Sequence, residues 1–382
     1  MQTPLLRSPF AATATTFFLA IASGVLFATT AIASEQAVIR IRAVGDTMLG
    51  NAPNNQVPNF NYLQAIQHET RKADVMFGNY EGTLCDRELT SHKCKSGNGL
   101  CFAFRGPTRL ARDLRQAGFH VLNIANNHIF DYGHDCATDT KTAIENEGMT
   151  AVGLKSSQKA NDLEVISTVE AKGKKIGFVG IHYSNAWGRV ISLNNSATVR
   201  KLVASARRTH DLVVVSVHAG AEGPQYTRVP HTHESHKGEN RGNVREFSRM
   251  VVDAGADLVI GHGPHVLRGM EVYKKKLIIH SLGNFATYTL FAFDHPMQLG
   301  AIVEVGLSEN GNFVDGRIIP TYQFYEKTPS GRRGQIRLEL DPKARAISEI
   351  QRLSEMDFDQ FPDIAADGSM TAPQVSNETR LK

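Results

Sequence analysis

The sequence predicts an α/β fold with helices packed on both faces of its sheet structure. Three observations carry that reading. Six short apolar runs each close on Gly, Asp, Glu, Asn or His. Those runs are continuous in Val, Ile and Leu rather than alternating, which is the mark of strands covered on both faces. Amphipathic stretches of helical length separate several of them, and such alternation argues helices on both sheet faces.

The first run, "AVIRIRAVGD" (37–46), ends in Gly45-Asp46, and the second, "ADVMFGNYE" (73–81), ends in Asn79-Tyr80-Glu81. "PTRLARDLRQAG" (107–118) has Pro at its start and Gly at its end, the capping asymmetry of a helix. The third run, "GFHVLNIANNH" (118–128), closes on two asparagines and a histidine, with Asp131 just beyond. "KKIGFVGIH" (174–182) ends in His182 and leads to a helical stretch at 196–208. "DLVVVSVHAG" (211–220) carries His218, and "NVREFSRMVVDAG" (243–255) is helical and ends in Gly. "ADLVIGHGPH" (256–265) presents His262 and His265. Beyond Glu271 three strand-like segments with short turns follow one another, which predicts a second sheet built β after β. A last helix is expected over 342–354, and the polar segment 368–382 reads as a disordered tail.

With 382 residues, 41% hydrophobic and 21% charged, the chain is long enough for one large domain, expected over 34–367. A net charge of +4 is small for this length, which argues against nucleic acid as a partner. Lys274-Lys275-Lys276 reads as a solvated turn between two strands. The first 33 residues have the layout of a secretory signal: Arg7, then an apolar centre, then small residues at the spacing of a cleavage site after Ala33. An uncleaved membrane anchor is the alternative, and either places the chain outside the cytoplasm: periplasmic, cell-surface or secreted. Four cysteines (Cys85, Cys94, Cys101, Cys136) suit one or two disulfides in an oxidising compartment, with three connectivities open. A bridge within 85–101 would restrain the loop after "GNYEGTL".

In an open α/β sheet, ligands gather where strands end. An Asp after Gly is often only a turn residue, and Asn126-Asn127 could serve a turn because Asn bonds its own backbone. The coincidence is what matters, since nearly every strand ends in a side chain of metal-ligand type. Carboxylate, amide oxygen and imidazole together suit Mn, Fe or Zn better than Ca, and a shared carboxylate can bridge two ions.

"GDTMLG", "GNYEGTL", "NIANNHIFDYG", "SVHAGAEG" and the long run from "GADLVIGHGPHVLRGMEV" to "IIHSLGNF" resemble, in order, the motif series of the capsule-synthesis CapA family. That family is associated with capsule and poly-γ-glutamate production and belongs to the calcineurin-like metallophosphoesterase superfamily. The resemblance implies a four-layer α/β/β/α sandwich holding two divalent metal ions. It implies Asp46 on the first metal, Glu81 as the bridging carboxylate and Asn127 on the second. His218 and His265 complete the shells, with His262 as a further imidazole. His128 is implied as a catalytic proton donor oriented by Asp131. Two positions depart from the superfamily pattern. Met48 stands where a histidine usually follows the first Asp, and Gly263 stands where the first of two closely spaced histidines would be. The implied function is metal-dependent hydrolysis in capsule or extracellular polymer metabolism, acting on an anionic polymer or its precursor beside membrane-bound synthesis proteins. A polymer-binding or assembly protein that retains the fold without turnover is the rival. "RVPHTHESHKGENRG" (228–242) reads as an exposed loop or as a lid over the site.

Overall fold

A computed structural model describes residues 36–50, 57–91, 93–94, 102–288, 296–330 and 333–373. The expected signal segment 1–33, Cys101 and residues 374–382 lie outside them.

Among the described residues, two large sheets face one another. The first is built around β1 (Ile39–Met48), with β2 (Val75–Tyr80), β3 (Val121–Asn123) and β4 (Thr150–Val152) in parallel on one side. The second runs through β5 (Ile166–Ala171), β6 (Lys174–His182), β7 (Leu212–His218) and β8 (Leu258–His262) to β10 (Lys276–Ile279) and β9 (Met270–Tyr273).

Side-chain alternation explains the continuous apolar runs. In β7, Leu212 and Val214 point between the sheets, while Val213, Val215 and Val217 point to the outer helices. The inter-sheet layer is largely apolar away from the strand ends, and Phe77 of β2 stacks on Phe178 of β6 at 5.7 Å between ring centres. On the outer face of the first sheet, α1 (Leu110–Gln116) and α2 (Gly133–Asn146) bury Leu110, Leu114, Ala137 and Ile144. On the outer face of the second, α3 (Ser196–Thr209) and α4 (Val244–Asp253) bury Val199, Leu202, Phe247 and Val251. Asn195 and Asn243 cap α3 and α4 by accepting from Thr198 N and Glu246 N. The order of layers is therefore α/β/β/α, as the resemblance implies.

Two expectations are corrected. The strands after residue 271 do not form a sheet of their own. β9 and β10 join the second sheet, whereas β11 (Asn284–Thr287), β12 (Leu299–Leu307) and β13 (Phe313–Lys327) extend the first, β11 and β12 both pairing with β1. The segment after Asp367 is not all tail, because Ser369–Thr371 is a strand paired with β13 and seated by the buried side chain of Met370. Cys85 bridges to Cys136 across 51 residues, tying the loop after Glu81 to α2. Cys94 is disulfide-bonded too. The lysine triplet is the turn between β9 and β10, with Lys274 and Lys275 at positive φ.

Candidate metal centre

Strand register assembles the site from two rows of side chains. Along the first sheet, Asp46 stands opposite Asn284 on one side and Asn79 on the other, and Asn79 stands opposite Asn123. Along the second sheet, His218 stands opposite both His182 and His262. Glu81 leaves β2 with its backbone N–H on Thr47 O at 2.9 Å, which sets its carboxylate beside Asp46.

The two rows meet. His265 Nδ1 lies 3.1 Å from Asp46 Oδ2, and His262 Nδ1 lies 3.7 Å from Asp46 Oδ1. Glu81 Oε1 is 3.5 Å from His218 Nε2, 3.8 Å from His265 Nε2 and 3.9 Å from His128 Nε2. Asp46, Glu81 and His265 offer ligand atoms within 4.8 Å of one another. Both carboxylates are fully buried, and a buried carboxylate needs a counter-charge or a proton. Burial, then the charge of Asp46, pushes the Glu81 carboxyl well above its ordinary range. Burial alone would depress His265, but Glu81 and Asp46 lift it to about 10. Burial drives His218 well down, with His182 its strongest neighbour, and takes His262 to about 4 against the pull of Asp46. The same burial takes His182 to about 3.

These residues fit a divalent ion by a test independent of sequence. The side-chain atoms buried without a hydrogen-bond partner include both oxygens of Glu81, Asn127 Oδ1, His182 Nε2, His218 Nε2 and both ring nitrogens of His262. Buried polar atoms are rarely left unpaired, and each of these residues offers at least one electron-pair donor of metal-ligand type.

The contact between His128 and Asp131 is equally defined. His128 Nδ1 sits 2.7 Å from Asp131 Oδ2, and that oxygen also accepts from Phe104 N at 2.7 Å. Asp131 therefore holds the imidazole with Nε2 towards Glu81. Lys93 Nζ approaches both Asp131 and His128 at 3.4 Å. Burial lowers the His128 pKa despite the pull of Asp131.

A pocket of about 410 Å³ opens over Asn127, His128 and His182. Segment 228–242 contributes the far wall as a hairpin, Glu234–His236 paired with Glu239–Gly242, rather than lying free as a loop. His236, Glu239 and Arg241 face the pocket, whereas His231 and His233 are exposed. Arg268, fully buried, pins the hairpin through a two-pronged ion pair with Glu234.

The two departures acquire physical readings. Met48 is buried on β1 and adds no ligand atom to the acid–imidazole group. Gly263 has φ +110°, and a Cβ there would stand 3.2 Å from His218 Nε2. A side chain at 263 would be strained by that φ and crowded against His218, and the imidazole that stands near is His262, one residue earlier and in register with His218. His265 itself holds a φ of +60°, a strained conformation for a histidine.

Sequence reading missed the roles of Asn79, Glu222 and Arg241. Asn79 stood in plain view at the end of its strand. It donates to Asp46 Oδ1 at 2.9 Å and contacts His218 Nδ1 at 3.2 Å, so it orients both side chains. Glu222 pairs with Arg241 at 2.5 Å, and although burial would raise its pKa, His265 and Arg241 hold it at about 2. No local pattern announces that pair.

A profile of the family described as "Bacterial capsule synthesis protein PGA_cap" matches residues 40–289. The chain is 26% identical over 297 residues to the capsule biosynthesis protein CapA of Bacillus anthracis, a match spanning 73% of this chain and 66% of that protein. It is 27% identical over 307 residues to the PGA biosynthesis protein CapA of Bacillus subtilis, spanning 77% and 73%. Among solved structures, a phosphatase of Mycoplasma pneumoniae superposes with a TM-score of 0.46 at 14% identity, covering 81% of this chain and 96% of that one.

Proposed function

The chain belongs to the PGA_cap family of bacterial capsule synthesis proteins, and from that premise we propose that it is an exported, metal-dependent hydrolase of capsule or poly-γ-glutamate synthesis or processing. The observation that carries the reading is Glu81: a fully buried carboxylate with two unpartnered oxygens, facing three imidazoles within 3.9 Å. Two ions of the Mn, Fe or Zn class, held by Asp46, Glu81, Asn127, His218, His262 and His265, would supply Lewis acidity and an activated water. The residues of the chain do the rest. Asp131 fixes the His128 ring, and His128 Nε2 delivers a proton to the leaving group at the mouth of the centre. Lys93 and Arg241 hold Asp131 and Glu222 in place, and with Lys237 they are the cations of the pocket that an anionic polymer or its precursor would meet.

Export is part of the reading, and the Cys85–Cys136 bridge supports it, since such bonds persist in oxidising compartments. Removal of residues 1–33 places Ser34 at the mature N-terminus. Mass spectrometry of protein from the native envelope checks this, and an intact Met1 in the cytosol would remove it. The enzyme reading is tested by elemental analysis of the purified mature protein together with a hydrolase screen over phosphoester and amide substrates. Bound metal with turnover that Asp46→Ala abolishes is the expected result. Met48, which withholds a hard ligand, favours the rival reading of a polymer-binding protein. Bound polymer without turnover in any metal-loaded preparation would establish that rival.

A further inference from the structure

Across the carboxyl edge of the second sheet, three neighbouring strands end in register on a histidine: His182, His218 and His262. The family resemblance assigns roles to the last two only. His182 is nonetheless buried and lines the pocket beside Asn127 and His128. Its Nδ1 makes its shortest contact, 2.9 Å, with the carbonyl oxygen of Ser184. That oxygen only accepts, so the proton sits on Nδ1 and the lone pair on Nε2. Ser184 Oγ lies at 3.3 Å, and Ser184 N–H, also at 3.3 Å, is a longer, competing donor to the same nitrogen. Metal-bound histidines are typically held this way, one nitrogen donating to a carbonyl and the other free for the ion. His182 Nε2 is buried without a hydrogen-bond partner.

The spacing is also right. The ring centres of His182 and His218 lie 5.9 Å apart. Two imidazoles on a common ion, each nitrogen about 2.1 Å from it, place their ring centres roughly 5–6 Å apart.

We propose that His182 is a metal ligand, binding through Nε2 and sharing with His218 the ion on the pocket side of Glu81. The proposal rests on the metal reading given above. It gives that ion a nitrogen-rich shell, which selects zinc-class ions over magnesium.

Titration of the metal-free protein with Zn²⁺ and Co²⁺ tests this. Wild-type protein binds two ions per chain. In His182→Ala one ion remains at wild-type affinity and the other weakens by more than about 100-fold, beyond the 10–100-fold cost of losing an outer hydrogen-bond partner. His182→Cys loaded with Co²⁺ develops a thiolate-to-cobalt charge-transfer band that wild type and His182→Ala lack. Thermal melts of the metal-free variants control for folding, and if His182→Ala misfolds the cobalt spectrum of His182→Cys decides. Two ions bound by His182→Ala at unchanged affinity, or no charge-transfer band in His182→Cys, overturns the role of His182 alone. A wild-type protein that binds no ion overturns the underlying site as well.

Discussion

The first sheet brings to the site a row that is hydrogen-bonded along its length. Asn123 donates to Asn79 at 2.9 Å, Asn79 donates to Asp46 at 2.9 Å, and Asn284 Oδ1 meets His265 at 3.1 Å. The second sheet brings His182, His218 and His262, each with at least one ring nitrogen buried and unpartnered. The same burial thus has two consequences. A desolvated row that satisfies itself adds to the stability of the fold and holds its carboxylate in one orientation. A desolvated row left open costs stability until something accepts its lone pairs. Orientation belongs to the hydrogen-bonded row of the first sheet, and open lone pairs to the imidazole row of the second together with Glu81 and Asn127.

Glu81→Ala is the most severe way to break this division, because Glu81 faces both rows. Metal content falls to near zero, the largest loss of any single change, while the metal-free protein melts no lower than wild type. Elemental analysis and a melt decide it, and one ion retained at full affinity would show that Glu81 does not bridge. His128→Ala comes next. Metal content stays and turnover falls by about 10² to 10⁴, the usual contribution of a positioned proton donor. If metal is lost as badly as in Asn127→Ala, His128 is a ligand instead.

Asn79→Ala attacks the satisfied row. It strips a partner from Asp46, Asn123 and His218 together, so the metal-free protein loses about 1–3 kcal/mol and metal affinity drops about 10–100-fold. Denaturant midpoints and metal titration read the two effects separately. His262→Leu attacks the open row and has the smallest effect on the fold. Replacing a buried ring whose nitrogens have no partner leaves metal-free stability within about 1 kcal/mol of wild type, although metal binding weakens. Equal destabilisation by Asn79→Ala and His262→Leu would erase the distinction between the rows.

Much of this was legible because it is local. β6 begins at its lysine pair and ends at His182, as its sequence suggests, and Asp46, Glu81, His218 and His265 announce themselves by following apolar runs. What was hidden depends on partners distant in sequence. β3 ends at Asn123, short of the apolar Ile124-Ala125, because the Asn123 amide turns inward to Asn79. α2 gave no helical signal, since apart from Ile144 it packs through Cys136, Ala137, Thr140 and Ala143, small or polar residues with a disulfide among them. β12 could not be assigned to a sheet before its antiparallel pairing with β1 was seen. The meaning of Gly263 lay in 3.2 Å of space next to an imidazole 45 residues earlier in the chain, at His218.

The registered rows also make the centre an inspection point for folding. Slipping a strand by a single residue turns each of its side chains to the opposite face. For β7 that would send His218 among the helices and put a valine in its place. A slipped chain can bury its valines almost as well as a correct one, so hydrophobic packing alone discriminates poorly between them. An ion that binds only the correct register does discriminate, adding about 2.7 kcal/mol to that state at a concentration 100 times its dissociation constant. With a metal held as proposed, its supply during maturation would set the yield of correctly registered protein, quite apart from the proposed reaction.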